Sequence, residues 1–276
     1  MSKTLILGAS GNVGSEIARI LKAKGNKVSL ATSRKVEKDE QVHINLATKD
    51  GLENAFEGID RAFLLAPPGY TNQDELINPV IDLAKKHNLK KVVFMTAMGA
   101  DANPESPMRK AEIHLENSGL NFNIIRPNWF MQNFNTFWIH GIKTQQKIFL
   151  PVGTAKGSFI DSRDISAVAS ELLFNDTWNK QAFILTGNEA LNHDEVAKII
   201  SEVTNKNITF EDINPEVMRE NLLGAGLPKD YTEFLLMILN FFKLGYSESI
   251  TNSVKEITGK DPISFRKYAE DYKNNW

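Results

Sequence analysis

An apolar strand pattern that runs into closely spaced glycines and out into an amphipathic helix leaves few folds open, and this chain begins with one. Residues 4 to 8 read "TLILG", residues 8 to 14 read "GASGNVG", and "SEIARILKAKG" continues with helical spacing. Each glycine has a mechanical use. Gly8 serves the tight turn, Gly11 lets backbone approach a pyrophosphate, and Gly14 lets the helix pack against the strand. Ser10, Asn12 and Val13 lie between them, where a helix start directs free amides and the positive dipole end at phosphates. An ordinary strand-to-helix turn also contains glycines. Here the buried-type strand before, the helix after and a second strand on schedule make the pattern that of a dinucleotide site.

Further short runs of β-branched and aliphatic residues follow: "KVSLAT" at 27 to 32, "VHIN" at 42 to 45, "RAFLLA" at 61 to 66, "KVVFMT" at 91 to 96 and "FNIIR" at 122 to 126. Helical patterns of ten or more residues lie between most of them. Regular alternation of this kind predicts an α/β fold, a doubly wound parallel sheet of Rossmann type, because parallel neighbours need crossover connections. The helix pattern "SRDISAVASELLF" and the strand "AFILTG" return to that sheet. After Gly187 the chain turns to helices punctuated by Pro and Gly. Residues 1–186 are thus expected to form an NAD(P)-binding domain, and residues 187–276 a smaller, mostly helical cap on the substrate side, near the carboxyl ends of the strands.

The second strand ends at Thr32, roughly 20 residues beyond the glycines, where an acid would grip the ribose hydroxyls of NAD. The chain instead offers Ser33, Arg34 and Lys35. A carboxylate there would repel a 2'-phosphate, whereas a hydroxyl and two cations can hydrogen-bond and neutralise it. NADP(H) is therefore expected in preference to NAD(H), the other reading being a solvated loop with two surface cations. Thr96 and Ala97 follow the fifth strand, and Pro127, Asn128 and Trp129 follow the sixth, so topology assigns them to the same cleft. The run "NWFMQNFNTFW" suits either a pocket for a flat conjugated molecule or plain core.

Composition excludes several classes. At 276 residues and 42% hydrophobic the chain buries a sizeable core. A net charge of -2 with interleaved signs argues against nucleic acid and membrane surfaces as partners. No cysteine is present, which removes disulfides and thiol chemistry and suits a reducing compartment. The N-terminal apolar run is too short for a signal peptide and no window approaches a membrane span, so a cytoplasmic protein, monomeric or homodimeric, is expected. The histidines are scattered, with no metal-ligand spacing. Asp161 and Asp164 in "IDSRD" read as a helix start.

The segments "GASGNVG", "ATSRK", "LLAPPGY", "VVFMTAMGA", "KAEIHLENSGL", "NIIRPNWFMQN" and "IDSRDISAVA" together resemble the NmrA-like family. These are atypical short-chain dehydrogenase/reductase relatives that include quinone, azo-dye and triphenylmethane-dye reductases as well as redox-sensing regulators. The resemblance implies an NAD(P)-binding fold, with Ala66, Pro67 and Pro68 of "LLAPPGY" against the cofactor. It also implies that Tyr70, a second catalytic candidate beside Lys110, lines the cleft with Asn72, the other reading being a loop tyrosine that packs against or shields the cofactor. The parent superfamily places a tyrosine four residues before a lysine. Here Lys110 matches the lysine but Ser106 stands in the tyrosine position, and Pro107 after it marks Ser106 as a helix N-cap. Lys110 is expected to hydrogen-bond the nicotinamide ribose, or to supply a proton if buried, unless it is a helix-surface lysine. Where the family's third strand commonly ends in an acid that contacts adenine, this chain has Asn45. Two activities remain open: NADPH-dependent hydride transfer to a quinone-like or dye-like small-molecule acceptor, and a non-catalytic NADP(H) sensor.

Overall fold

The computed structural model describes residues 2–276. The chain divides into two compact units, Met1–Pro127 with Ile165–Ile184, and Asn128–Asp164 with Leu185–Trp276. In the first, β1 (Lys3–Ile6), α1 (Asn12–Ala23), β2 (Lys27–Thr32), β3 (Gln41–His43), β4 (Arg61–Leu65), α2 (Gln73–Lys86), β5 (Lys91–Met95), α3 (Pro107–Glu116) and β6 (Phe122–Pro127) alternate as expected. Next come α4 (Ile139–Gln145) and β7 (Lys147–Leu150) of the second unit, then α5 (Ser162–Leu172) and β8 (Gln181–Leu185), which belong largely to the first.

The seven-stranded sheet has the order β3-β2-β1-β4-β5-β6-β8. Its ladders are parallel, with Thr4 opposite both Val28 and Arg61, and Val92 opposite Phe122. The carboxyl ends of these strands therefore share one edge. The order reverses between β1 and β4, which is where open α/β sheets form their ligand crevice. Leu5 and Ile6, Val92 and Val93, and Ile124 and Ile125 are all buried at successive positions. Both faces of the sheet are covered, which is why its strands read as continuous apolar runs rather than as alternating ones. On α2, Ile77, Val80, Ile81 and Ala84 form the buried stripe that packs into the same core.

The second unit adds α6 (His193–Thr204), β9 (Thr209–Asp212), α7 (Pro215–Gly224), α8 (Lys229–Lys243), α9 (Ser253–Thr258) and α10 (Phe265–Tyr272). Asn192 and Glu195 close a reciprocal capping box at the start of α6. Residues 128–164, which the sequence reading places in the first domain, group instead with the C-terminal part. The reason is a strand the reading did not recognise: β7 pairs in parallel with β9, so its partner lies beyond residue 187. Met131 and Phe134 of the aromatic run are buried core in this unit, and Phe137 is exposed. No helix among the described residues is long and apolar enough to cross a membrane.

Candidate functional site

The glycine turn shows which of its residues the fold itself demands. Gly8 has a φ of +62°, in the left-handed region, and a Cβ there would lie 2.9 Å from Leu65 Cδ2 at the end of β4. A Cβ on Gly14 would fall 2.3 Å from the Gly8 carbonyl oxygen, so the first turn of α1 packs directly on the turn's backbone. Gly11 is different. Its φ of -87° and ψ of 174° are open to any residue, and its Cβ would meet only Gly8 O, at 3.3 Å. Its backbone conformation does not require glycine, and a Cβ would need the Gly8 carbonyl to give by only a few tenths of an ångström. What its missing side chain leaves uncovered is the N-terminus of α1, where no side chain caps the helix and no acid occupies the first turn. Uncapped amides at the positive end of a twelve-residue helix, reached over a bare Cα, fit a diphosphate. Ser10 and Asn12 are exposed beside this opening, whereas the Val13 side chain is buried.

At the end of β2, Ser33, Arg34 and Lys35 are exposed, and neither cation has an ion-pair partner among the described residues. Asn45 lies two residues past β3, and its Oδ1 accepts from the amides of Ala47 and Thr48 at 3.0 and 3.2 Å. That oxygen serves a local turn, leaving the side-chain amide as the group available to a base. After β4, Gly69 adopts a left-handed φ of +91° in the loop that carries Ala66, Pro67, Pro68 and Tyr70. Gln73 Nε2 donates to the Tyr70 carbonyl at 2.7 Å and so ties this loop to the start of α2, while the Tyr70 ring is exposed.

The loop ends after β5 and β6 are joined by a buried charge cluster that the sequence reading missed. Glu112 on α3 is fully withdrawn from solvent. It accepts from Thr96 Oγ1 at 2.7 Å, from Arg126 Nε and Nη2 at 2.9 and 2.7 Å, and from Arg109 Nη1 at 3.0 Å. Arg126 also reaches Asp101, and Arg109 reaches Glu116. Burial pushes the Glu112 carboxyl up, but the hydrogen bonds from Arg126 and Thr96 and the Arg126 charge outweigh it and hold the group below its ordinary range. The Thr96 hydroxyl is thus committed inward, and Ala97 follows it partly exposed. Pro127 contributes its carbonyl, which accepts from the Met98 amide.

Ser106 is the N-cap that its sequence context indicates: Oγ accepts from the Arg109 amide at 3.3 Å and donates to the Ala100 carbonyl at 3.2 Å, with Pro107 at the first helical position. Lys110, one turn on, is 46% exposed and lies 3.2 Å from the Glu105 carboxylate. The burial on which a proton-source role depends is not there. His114 faces Asp82 of α2 at 2.7 Å.

In the second unit, Asn128 is buried with all of its amide in use: Nδ2 donates to Ser158 Oγ and the Ser247 carbonyl, and Oδ1 accepts from the Trp129 amide. It acts as a structural clamp there. Trp129 stacks on Trp138 with ring centres 6.1 Å apart and meets Phe242 edge-on. Asp161 is buried and paired with Arg163, whose amide it also accepts, as a residue entering a helix does. Asp164 accepts from the Ile263 amide at 2.8 Å. Among the described residues, no three His, Asp or Glu side chains gather as a metal site would require.

With this geometry established, comparison with known proteins gives three kinds of likeness. The model of the NmrA-like family matches residues 1–268. An uncharacterized oxidoreductase, YesF, of Bacillus subtilis (strain 168) is 30% identical over 275 residues, 99% of this chain and 96% of that one. An NAD(P)H azoreductase of Xenophilus azovorans is 26% identical over 279 residues, covering 96% of both chains. Among solved structures, the triphenylmethane reductase of Citrobacter sp., complexed with NADP(H), superimposes with a TM-score of 0.83 at 17% identity, over 98% of this chain and 99% of that one. That last likeness is one of fold.

Proposed function

The chain belongs to the NmrA-like family, and from that premise we propose that it is an NADPH-dependent reductase that passes hydride to a quinone-like or otherwise conjugated small molecule in the cytoplasm. The observation that carries the proposal is the basic loop after β2, with Ser33, Arg34 and Lys35 exposed and no acid at the strand end. A 2'-phosphate supplies the anion that two unpaired cations lack, and a neutral 2'-hydroxyl does not. The nicotinamide, when bound, supplies the hydride.

In this reading the chain's own residues bind and orient. The α1 amides and Gly11 take the diphosphate with Ser10, Asn12 and Val13 around them. Asn45 meets the adenine through its side-chain amide. Ala66, Pro67, Pro68, Thr96, Ala97 and Pro127 wall the dinucleotide, with Asn128 holding the backbone that precedes Trp129. Lys110 donates to the nicotinamide ribose rather than serving as an acid, and Tyr70 meets the acceptor. Conjugated acceptors are electrophilic and take hydride without a strong protein acid, which accords with a serine already occupied as a helix cap where the superfamily has tyrosine.

The test is loss of NADPH absorbance with purified protein against quinones, azo and triphenylmethane dyes and small carbonyls, with Lys110→Ala and Arg34→Ala in parallel. Enzyme-dependent oxidation by at least one conjugated acceptor, slowed in Lys110→Ala, is expected. Arg34→Ala should weaken NADPH binding roughly tenfold or more while leaving NADH binding nearly unchanged. Tight NADPH binding with no turnover across the panel would replace this reading with a non-catalytic sensor.

A further inference from the structure

Both backbone polar groups of Arg34 are held while its guanidinium has no ion-pair partner among the described residues. Its amide donates to Thr32 Oγ1 at 3.1 Å. Its carbonyl lies 3.2 Å from His43 Nδ1. The other ring nitrogen, Nε2, lies 3.2 Å from the Asp50 carboxylate. The β2–β3 register sets Thr32 opposite His43, so the ring stands beside the loop that leaves β2. A turn after β3 brings the acid to it: Lys49 and Gly51 take left-handed φ values of 64° and 73°, and Asn45 N donates to the Asp50 carbonyl. A Cβ on Gly51 would lie 2.2 Å from the His43 carbonyl oxygen, so glycine is required for the turn to close this tightly.

The two partners are alike in kind. A carbonyl and a carboxylate both only accept, so the ring donates where it binds them. The charged group that faces the ring from the turn is Asp50. From the loop after β2 it meets the Arg34 carbonyl, with the Arg34 guanidinium and the Lys35 ammonium on the same short segment.

We propose that His43 is a positioning residue for 2'-phosphate recognition: held between Asp50 and the Arg34 carbonyl, it fixes the backbone of the basic loop, so that the Arg34 guanidinium and the Lys35 ammonium are presented together to a 2'-phosphorylated dinucleotide. This rests on the reading of the Arg34 loop given above. The informative quantity is the preference for the phosphorylated dinucleotide, which loosening of the loop lowers while NAD+ binding is untouched.

The experiment measures NADP+ and NAD+ dissociation constants by calorimetry on the full chain at low salt. It compares wild type, His43→Gln, Asp50→Asn and Arg34→Ala. The wild-type preference for NADP+ should exceed that of His43→Gln by roughly threefold to tenfold. Asp50→Asn should lower the preference in the same sense. A His43→Gln preference equal to that of wild type, while Arg34→Ala collapses the NADP+ preference, overturns the His43 proposal alone. An Arg34→Ala variant with unchanged preference overturns the loop reading, and this proposal with it. Unchanged NAD+ binding in His43→Gln shows that the variant has folded.

Discussion

Glu112 on α3 and Arg126 at the end of β6 meet in a two-pronged ion pair, 2.9 and 2.7 Å long, with the carboxylate wholly buried. The pair fastens the helix that carries Lys110 to the strand end that precedes Asn128, and Thr96 is tied to the same carboxylate. One acid thus sets three segments at the edge where the proposed nicotinamide half would lie.

Removing one partner of such a pair leaves an uncompensated buried charge, which costs about 3 to 5 kcal/mol. Glu112→Gln is therefore expected to lower the thermal midpoint sharply, and Glu112→Leu with Arg126→Met to recover most of the loss, read by circular dichroism. The pH sense follows from the direction of the shift. A carboxyl held below its ordinary range in the folded state contributes stability that is present above the unfolded value and is lost as pH falls through the folded one. The acid limb of the stability curve should flatten in the double variant.

Gly14→Ala and Gly11→Ala should part company. The first places a methyl 2.3 Å from backbone that cannot yield, and about 1 to 3 kcal/mol of stability should go with it. The second meets one oxygen at a tight 3.3 Å and keeps an allowed backbone, so its cost to the fold should be clearly smaller than that of Gly14→Ala. Its methyl stands instead where the diphosphate would approach, and dinucleotide affinity should drop by roughly tenfold or more. Thermal melts beside NADP+ titrations separate the two outcomes.

The sheet, the glycine turn and the Ser106 cap were legible because each depends on residues near in sequence: continuous apolar runs, a fixed glycine spacing, a Ser-Pro pair. What sequence did not show depends on partners far apart along the chain. Arg126 inside the buried run "FNIIRP" was the available signal, since an arginine in a two-faced strand needs a buried acid, but only the fold identifies that acid as Glu112. Asn128 and Thr96 sit where topology puts cleft residues, yet their polar atoms are consumed internally. Periodicity cannot say which way a polar side chain turns. The strand β7 was invisible because its partner follows residue 187.

His193 is buried among Phe134, Trp138, Phe159, Phe210 and Phe242, and neither ring nitrogen meets a hydrogen-bond partner among the described residues. Burial pushes it down to about 3, so it is neutral at every ordinary pH. An unpartnered buried polar group costs about 1 to 3 kcal/mol, and a leucine of similar volume has none. His193→Leu should raise stability at neutral pH. A histidine depressed in the folded state resists protonation there, so stability falls as pH drops below the ordinary histidine range. That acid-side loss should disappear from urea melts of the variant.

Asp164 works in the opposite sense. In the first turn of α5 it is buried, and desolvation pushes its carboxyl up to about 6, with the Ile263 amide bond lowering it and the nearby Asp161 charge adding to the rise. A carboxyl raised in the folded state holds its proton more tightly than the unfolded chain does. Stability therefore declines as pH rises from the ordinary aspartate range to about 6, and levels off above it. Asp164→Asn keeps an oxygen for the Ile263 amide and removes the ionisation. Its advantage over wild type should grow across that window, to at most about 3 kcal/mol at neutral pH. His193→Leu should gain least at neutral pH and most in acid, so urea melts at about pH 4 and about pH 7 distinguish the two groups. A constant Asp164→Asn difference at both would show that the carboxylate is stabilised in place and that burial does not govern it.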